Sequence, residues 1–280
     1  MKQHIGQRIT ARYSELTPHE QRVASFILDH FDDFAVYNAA ELARLTGVSK
    51  ATVSRLFKRL GFESFRDVKA HARELRNYGV PLVTHDHALD QGGEHFKRHF
   101  EREQANLRYC LDALSPQVLE AIVRGLDQAR DIVIVGFRNS YPVALHLRQQ
   151  LIQARERIRL APQPGQSLAE ELAGLTQDDL VIVIGFRRRP SGFEAMMKTL
   201  AAADSQVLLI GDATARPFAE GIDWRVECPL DSVSAFDSYA TAMSLVNLLV
   251  NGMLHRRLKA GRARIDTIST LYDRLDELAM

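Results

Sequence analysis

The most regular pattern of apolar and polar positions lies in the segment 47–62. Four apolar side chains there have the i, i+3, i+4, i+7 spacing of one buried helix face: Val53, Leu56, Phe57 and Leu60. Ser49 stands just before this pattern and can cap the helix, and Gly47 supplies the tight turn that precedes it. The pattern therefore predicts a turn followed by an amphipathic helix.

Two further helical stretches precede this helix. Residues 39–45 form a short one, and the three-residue connection 46–48 joins it to the helix that follows Ser49. An earlier helix keeps the same apolar period at Val23, Phe26, Ile27 and Phe31. Together these elements indicate a compact helical bundle that carries a helix-turn-helix, a motif whose second helix enters the major groove of DNA.

The polar side of the predicted second helix is basic. We expect Lys50, Ser54 and Arg55 to face the groove. We expect Lys58 and Arg59 to contact phosphates. The full candidate DNA-binding set is Ser49, Lys50, Thr52, Ser54, Arg55, Lys58 and Arg59. The alternative is a solvated amphipathic helix, since a basic outer face is ordinary on a soluble protein.

The distribution of charge supports DNA binding only for the N-terminal part of the chain. The formal net charge of the 280 residues is +1, which by itself says nothing about nucleic acid. The first 80 residues, however, contain 13 Lys and Arg against 9 Asp and Glu. The basic excess therefore falls where the helix-turn-helix lies.

After residue 130 the pattern changes to short β-branched runs separated by helical stretches. The runs are DIVIVGF (131–137), RIRLA (157–161), DLVIVIGF (179–186) and QVLLIGD (206–212). Continuous apolar strands that alternate with helices indicate a parallel sheet covered on both faces. The sequence thus predicts an α/β protein overall, with an all-α N-terminal bundle and a C-terminal three-layer α/β/α domain.

Helices are also predicted around these strands. One begins near residue 94, and we expect three of its side chains to face inward: Phe96, Phe100 and Leu107. Another starts at Ser115, which can cap it, and a long helix covers 235–258. The tail beyond it is a further amphipathic segment containing Leu271, Leu275 and Leu278.

Gly and Pro at residues 77–81 mark a domain boundary. We predict four segments along the chain: a DNA-binding domain over 1–78, a linker and connecting helix over 79–114, the α/β domain over 115–260, and a C-terminal amphipathic tail over 261–280.

The sequence gives little indication of disulfide bonds, metal sites or membrane segments. Cys110 and Cys228 do not form a disulfide framework or a zinc motif, and we expect both to be buried in a reducing compartment. No apolar run is long enough to span a bilayer, so we expect a cytoplasmic protein that does not act on membranes. His95 and His99 have the spacing of a metal pair, but no further ligand is evident, and we expect neither metal nor cofactor.

Two loops that follow predicted strands carry the candidate ligand chemistry. In open α/β sheets, ligands lie beyond the carboxyl ends of the strands, near helix N-termini. The candidate effector-binding residues on these loops are Arg138, Asn139, Ser140, Arg187, Arg188, Arg189 and Ser191. Ser191 and Glu194 fit a capping box. Arginines at such a place favour an anionic ligand, although some could instead face solvent or a subunit interface.

Three stretches together resemble the RpiR family of bacterial transcriptional regulators. They are LTPHEQRVASFIL (16–28), AAELARLTGVSKATVSRLFKRLGFESFRDVK (39–69) and the order of strands, loops and helices after residue 130. The resemblance implies an N-terminal helix-turn-helix domain, a C-terminal sugar isomerase (SIS) domain that senses a metabolite, commonly a phosphosugar, and a dimer or tetramer.

The ligand loops depart from the family pattern. The first family loop is usually Gly-x-Gly-x-Ser, and here Arg138 replaces the second glycine. The second is usually Ser-x-Ser-Gly, and the corresponding residues here are Gly185, Phe186, Arg187 and Arg188. We therefore expect a small anionic effector, either a phosphosugar or a carboxylated compound.

The leading hypothesis is a sequence-specific transcriptional regulator of double-stranded DNA, a homo-oligomer whose operator affinity depends on this effector. The alternative is a sugar-phosphate isomerase with an attached helical domain. That reaction needs a general base, for which the candidates are His146, Glu170, Glu171 and His255.

Overall fold

A computed structural model describes residues 5–29, 37–68, 70–71, 93–233 and 236–277. The chain divides into two compact units. The helical unit comprises Met1–His99 with Ser232–Phe236, and the sheet unit comprises Phe100–Asp231 with Asp237–Met280. Phe31 and Leu278, which the sequence patterns include, lie outside the described residues.

The described helices of the helical unit are α1 (Ile5–Arg12), α2 (Pro18–Asp29), α3 (Ala39–Leu45) and α4 (Lys50–Arg59), with a short 3-10 turn at Tyr13–Glu15. Asn38 caps α3 in a capping box with Glu41. Gly47 follows α3 with φ of 63°, a left-handed conformation that costs glycine little. Ser49 then caps α4, so the predicted helix-turn-helix is confirmed.

The apolar face of α4 lies in the core of this unit. Its four predicted core residues are all buried: Val53, Leu56, Phe57 and Leu60. They pack with Ile5 and Ile9 of α1, and with Val23 and Ile27 of α2. The periodicity of the sequence therefore identified the buried side of α4 correctly.

The sheet unit contains five parallel strands in the order β2-β1-β3-β4-β5. They are β1 (Ile132–Gly136), β2 (Ile158–Ala161), β3 (Leu180–Ile184), β4 (Gln206–Gly211) and β5 (Trp224–Glu227). The predicted parallel sheet is confirmed for the first four. Strand β5 was not predicted, because the edge sequence WRVE lacks a continuous apolar run.

The helices that follow residue 92 are α5 (Gly93–Ala113), α6 (Pro116–Gln128), α7 (Ser140–Ala154), α8 (Leu168–Leu172), α9 (Phe193–Ala201), α10 (Ala240–Arg256) and α11 (Leu258–Leu275), with a 3-10 helix at Ala213–Phe218. Residues of α6, α7 and α10 pack on one face of the sheet. Residues of α9 pack on the other face. The three-layer α/β/α architecture is therefore confirmed, and α11 begins directly after a break at Arg257.

The prediction for the inward face of α5 was wrong. Phe96 is 73% exposed and Phe100 is 61% exposed, and Leu107 is also exposed. The buried positions are Asn106, whose Nδ2 donates to the carbonyl of Asp231 at 2.6 Å, and Cys110. Long-range contacts with the loop after β5 therefore decide which side of α5 faces the protein.

The two cysteines are both buried, as predicted, and lie side by side. The Sγ atoms of Cys110 and Cys228 are 3.8 Å apart, although 118 residues separate them in the chain. Their proximity results from the packing of α5 beside the end of β5. No helix among the residues that the structure describes is long and apolar enough to cross a membrane.

Candidate nucleic-acid and effector sites

The outer face of α4 presents four of the predicted DNA-binding side chains to solvent: Lys50, Ser54, Arg55 and Lys58. Arg55 Nε donates to the carbonyl of Ala51 at 3.3 Å, which aligns this side chain along the helix. The structure thus places polar and cationic groups on one side of α4 and the apolar anchor on the other.

The two hydroxyl residues at the start of α4 complete its N-terminal cap. Ser49 Oγ accepts from the backbone N–H of Thr52 at 3.1 Å and lies 3.0 Å from Thr52 Oγ1. Ser49 is exposed, whereas Thr52 is buried. Thr52 therefore helps to fix the start of the helix and does not share the outer face with Lys50 and Ser54.

Arg59 is held against the rest of the helical unit. Its Nη1 donates to the carbonyl of Glu15 at 2.8 Å and lies 3.5 Å from Glu20 Oε2. Burial alone would raise the pKa of the Glu20 carboxyl, but hydrogen bonds from Thr17 and the charges of Arg59 and Arg55 outweigh it and lower this pKa. Glu20 therefore stays ionised and holds Arg59, which keeps half of its side chain exposed.

A cleft of about 590 Å³ lies between the start of α2 and the recognition helix α4. It is lined by Thr17, His19, Glu20, Thr52, Arg55, Lys58 and Arg59. Three cations line its α4 side, whereas Glu20, which is buried, accepts hydrogen bonds from the N–H and hydroxyl of Thr17.

In the sheet unit, the loops after β1 and β3 meet at the carboxyl edge of the sheet. Ser140 Oγ, at the start of α7, accepts from the backbone N–H of Phe186 at 3.2 Å. Glycine is required at the end of β1, because a Cβ at Gly136 would lie 2.7 Å from Ala144 Cβ. Ser140 is therefore buried in the joint between the two candidate ligand loops.

Two of the three consecutive arginines are neutralised by carboxylates of the same unit. Arg187 Nε donates to Asp237 Oδ1 at 2.8 Å, and its Nη2 donates to the same oxygen. Arg189 Nη2 donates to Asp212 Oδ1 at 2.8 Å, and its Nε donates to the carbonyl of Gly185. Asp212 Oδ1 also accepts from the backbone N–H of Arg187 at 2.9 Å. These two arginines therefore brace the loop.

Arg138 and Arg188 form the remaining cationic pair. Both have left-handed backbone conformations, with φ of 53° and 69°. Both stand where the family loops described above carry glycine, which adopts this conformation without steric cost. Arg138 is exposed, whereas Nε of the half-buried Arg188 is buried and has no hydrogen-bond partner within the described part of the chain.

Between residue 237 and the first turn of α10, three more buried polar atoms have no hydrogen bond of normal geometry: Asp237 Oδ2, Tyr239 Oη and Thr241 Oγ1. Burial raises the pKa of the Tyr239 hydroxyl and Asp237 adds to this effect, so the hydroxyl stays protonated. A side-chain contact with Asn139 and the charges of Arg188 and Arg187 lower this pKa in part. Because unpaired buried polar atoms are costly, this cluster is suited to a ligand that brings both donors and acceptors.

The predicted capping box at Ser191 was wrong. Helix α9 begins at Phe193 with Gly192 as its cap, and no side chain caps it. Glu194 instead pairs with Lys198, one turn along the helix. Ser191 is exposed on the loop, and Asn139 is exposed before α7. The turn 190–193, closed by a backbone hydrogen bond from Phe193 to Pro190, replaces the expected side-chain cap.

Asp212, Asp237, Tyr239 and Thr241 were missed as candidate site residues. Asp212 directly follows β4, and its place after an apolar strand could have marked it. Asp237 and Tyr239 precede α10 in a stretch without periodic pattern, and only the fold brings them to Arg187.

The residues considered as the general base of an isomerase form surface ion pairs or helix hydrogen bonds, or lie at half-buried or exposed positions. Glu171 pairs with Arg159 at 3.1 Å, and His255 Nδ1 lies 2.7 Å from the carbonyl of Asn251. His146 is half-buried and Glu170 is exposed. Among the residues described, no cluster of three or more His, Cys, Asp or Glu side chains is suited to a metal ion.

Sequence comparisons agree with the two units. The model of the helix-turn-helix domain of the rpiR family matches residues 3–76, and the SIS domain model matches residues 125–252. The chain is therefore a transcriptional regulator of the helix-turn-helix type with a SIS domain. It belongs to the RpiR family.

Two curated relatives are transcriptional regulators. HexR from Pseudomonas aeruginosa is 26% identical over 261 residues, which cover 91% of this chain and 90% of HexR. An uncharacterised regulator from Providencia stuartii is 28% identical over 188 residues, which span 64% of each chain.

Two solved structures share the fold. The sugar isomerase domain of an RpiR transcription factor from Sphaerobacter thermophilus has a TM-score of 0.58 and 23% identity, and the match covers 62% of this chain and 97% of that one. Vibrio vulnificus NanR, solved in complex with ManNAc-6P, has a TM-score of 0.58 and 20% identity, and the match covers 97% and 99% of the two chains.

Proposed function

We propose that this regulator docks helix α4 into the major groove of an operator, and that a small anionic metabolite at the carboxyl edge of the sheet changes its operator affinity. One observation carries the DNA-binding part. Helix α4 turns Lys50, Arg55 and Lys58 to solvent, while its opposite face completes the core of the helical unit. A rigid helix with this division of charge fits a groove lined by phosphates.

The side chains of α4 divide by role. Arg55, Lys50 and Ser54 face the bases, with Arg55 as the main reader. Lys58 contacts phosphate, and Arg59 does so with the half of its side chain that Glu15 and Glu20 leave exposed. A two-fold homo-oligomer would place two copies of α4 about 34 Å apart, or at a multiple of this spacing, on a roughly palindromic site.

Replacing Arg55 with alanine should weaken operator binding by about 1–3 kcal/mol and relax the preference at one base position. Replacing Lys58 with alanine should weaken binding to operator and random DNA alike, and should lower the salt dependence by about one counterion. Both effects are measured by anisotropy titrations at several salt concentrations on a site selected from random DNA.

Arg108→Ala is the matched control, because Arg108 is exposed on α5 in the sheet unit. This variant should bind operator DNA like the wild type. Equal losses on operator and random DNA for both Arg55→Ala and Lys58→Ala would contradict the division of roles.

The effector part of the proposal is supported by the unpaired groups at the strand ends. Arg188 offers a buried cationic donor, and Tyr239 and Thr241 offer hydroxyls. Asp237 keeps one oxygen free for a donor of the ligand, since Arg187 occupies only the other. This set suits an anion that also carries hydroxyl groups, which describes a phosphosugar or a sugar acid. NanR in complex with ManNAc-6P makes that phosphosugar a first probe.

Replacing Arg188 with glycine should weaken effector binding roughly 10- to 100-fold, because a buried charge-assisted contact is lost. The same change should leave the free energy of unfolding unchanged or raise it by up to about 1 kcal/mol, because a left-handed residue becomes glycine. Calorimetry with ManNAc-6P, glucose 6-phosphate and gluconate measures binding, and urea unfolding measures stability.

Arg157→Gly is the matched control for the glycine change. Arg157 also has a positive φ of 58°, but it precedes β2 at the opposite, amino edge of the sheet. Its replacement should relieve the backbone in the same way without altering ligand binding. Equal binding by wild type and Arg188→Gly for a ligand that does bind would exclude Arg188 from the site.

The isomerase alternative keeps a simple test. Interconversion of aldose and ketose phosphates by the purified chain would favour an enzyme. A protein that binds operator DNA and shows no such turnover supports the regulator alone.

A further inference from the structure

Helix α11 carries a heptad pattern that the rest of the sheet unit covers only in part. Its apolar positions repeat with alternating steps of three and four residues: Leu258, Gly261, Ile265, Ile268, Tyr272 and Leu275. This is the spacing of a seam along which two helices pack.

The first turns of α11 are covered by the sheet unit itself. Gly261 is buried so closely that a Cβ would lie 2.5 Å from Leu254 Cδ1. Arg264 Nε donates to the carbonyl of Ile152 in α7 at 2.8 Å. These contacts fix α11 on the sheet unit at its N-terminal end.

The apolar surface continues beyond this covered part. Leu271 is 46% exposed and Leu275 is 62% exposed, and Ile265 is also exposed. Ile268 and Tyr272 are half-buried. The last three turns of α11 therefore present an apolar stripe that the described residues of the chain leave open to solvent, which is unusual for a helix that acts alone.

The charges of α11 are unevenly divided between its two halves. Residues 258–267 contain three basic side chains and one acidic one, whereas residues 268–277 contain three acidic side chains and one basic one. Two parallel copies would place like charges side by side. Two antiparallel copies place the basic half of each helix beside the acidic half of the other, so the helix is complementary to itself only in that direction.

We infer that α11 packs antiparallel against α11 of a second copy of this chain. The register that best fits the seam places Ile265 against the second copy's Leu275, and Ile268 against its Tyr272. In this register the two-fold axis passes near residue 270, and Leu271 meets Leu271 of the second copy. Arg262 then flanks the seam beside the second copy's Asp276, the left-handed residue that directly follows the last turn of α11.

This pairing is isologous, because the same surface serves both partners and the contact closes at a dimer. A dimer formed in this way contains the two copies of α4 that the proposed function requires. Only this biological role of the pairing rests on the proposed function. The exposed apolar stripe and the charge pattern are properties of α11 itself. Assembly measured without DNA therefore tests this pairing separately from DNA binding.

The first test is the mass of the full chain by light scattering and sedimentation over a dilution series. The wild type should be a dimer or a larger even assembly, and Leu275→Glu should raise the dissociation constant about 100-fold or more, since the change acts twice in a two-fold interface. Leu111→Glu is the control, because Leu111 is an exposed leucine on α5. A wild-type monomer at all concentrations, or equal effects of the two variants, would overturn the proposal.

Cysteine cross-linking and charge reversal test the register without requiring dissociation. Leu271→Cys should form a disulfide-linked dimer under mild oxidation, whereas Thr270→Cys, exposed on the side of α11 that faces away from the seam, should not. Arg262→Asp and Asp276→Arg should each weaken the dimer, and the double variant should restore it. Cross-linking at residue 270 but not at residue 271, or no rescue in the double variant, would overturn the antiparallel register.

Discussion

Replacing Asp237 with alanine should lower the free energy of unfolding of the sheet unit by about 3–5 kcal/mol. The side chain of Asp237 is only 5% exposed, and its Oδ1 accepts two hydrogen bonds from the guanidinium of Arg187, whose side chain is 14% exposed. Removing the carboxylate leaves that cation without its counter-charge in a poorly solvated place. The loss should therefore far exceed that of an ordinary surface substitution.

Urea unfolding followed by tryptophan fluorescence measures this effect. The single tryptophan of the chain, Trp224, lies in β5 and reports on the sheet unit alone. Asp204→Ala is the control, because Asp204 is exposed. A loss for Asp237→Ala no larger than for Asp204→Ala would show that Arg187 is not held by this pair.

The second large effect concerns Asp179, at the amino edge of the sheet. This carboxylate is fully buried and accepts from the backbone N–H groups of Thr176 and Asp131, at 2.8 and 3.2 Å. Arg130 also donates to both of its oxygens. Asp179→Ala leaves two partly buried N–H groups without acceptors and Arg130 without its buried counter-charge, so we expect a loss of about 2–5 kcal/mol. Asp178→Ala, next to it and exposed, is the control in the same unfolding assay.

The contribution of Asp179 to the free energy of unfolding should depend on pH. Burial alone would raise the pKa of this carboxyl, but hydrogen bonds from Thr176 and Asp131 and pairing with Arg130 lower it overall. A carboxyl with a lowered folded pKa adds stability that is complete above its unfolded pKa and is lost as the pH falls through its folded pKa. The difference between wild type and Asp179→Ala should be constant near neutral pH and shrink in acid. A constant difference at every pH would contradict this account.

Local sequence rules were sufficient for the DNA-binding half. The spacing of Val53, Leu56 and Phe57, the capping role of Ser49 and the turn at Gly47 all act within a few residues of one another. No distant part of the chain overrides them. For the same reason, strands β1, β3 and β4 could be identified from their continuous apolar runs.

The effector site could be predicted only in outline. The sequence placed arginines after β1 and β3, but it could not show that Arg187 and Arg189 are matched by carboxylates from other loops. Those partners lie near the arginines because the carboxyl ends of parallel strands, and the loops that follow them, meet at one edge of the sheet. The wrong face of α5 has the same origin, because Asn106 is drawn inward by a carbonyl 125 residues away.

At Arg138 and Arg188, the sequence shows which residue type has changed, and the structure shows which backbone conformation that residue adopts. Both have a left-handed backbone, the conformation that glycine favours, at positions where the family pattern in the sequence has glycine. An arginine in this conformation adds a cationic side chain where glycine would add none.

The ion pair between Asp237 Oδ1 and Arg187 also constrains how this regulator could have diverged from relatives whose second ligand loop carries serines. A serine in place of Arg187 would strand a buried carboxylate, and a neutral residue in place of Asp237 would strand a guanidinium, so each single step passes through a weakened protein. The two positions are therefore expected to change together among relatives.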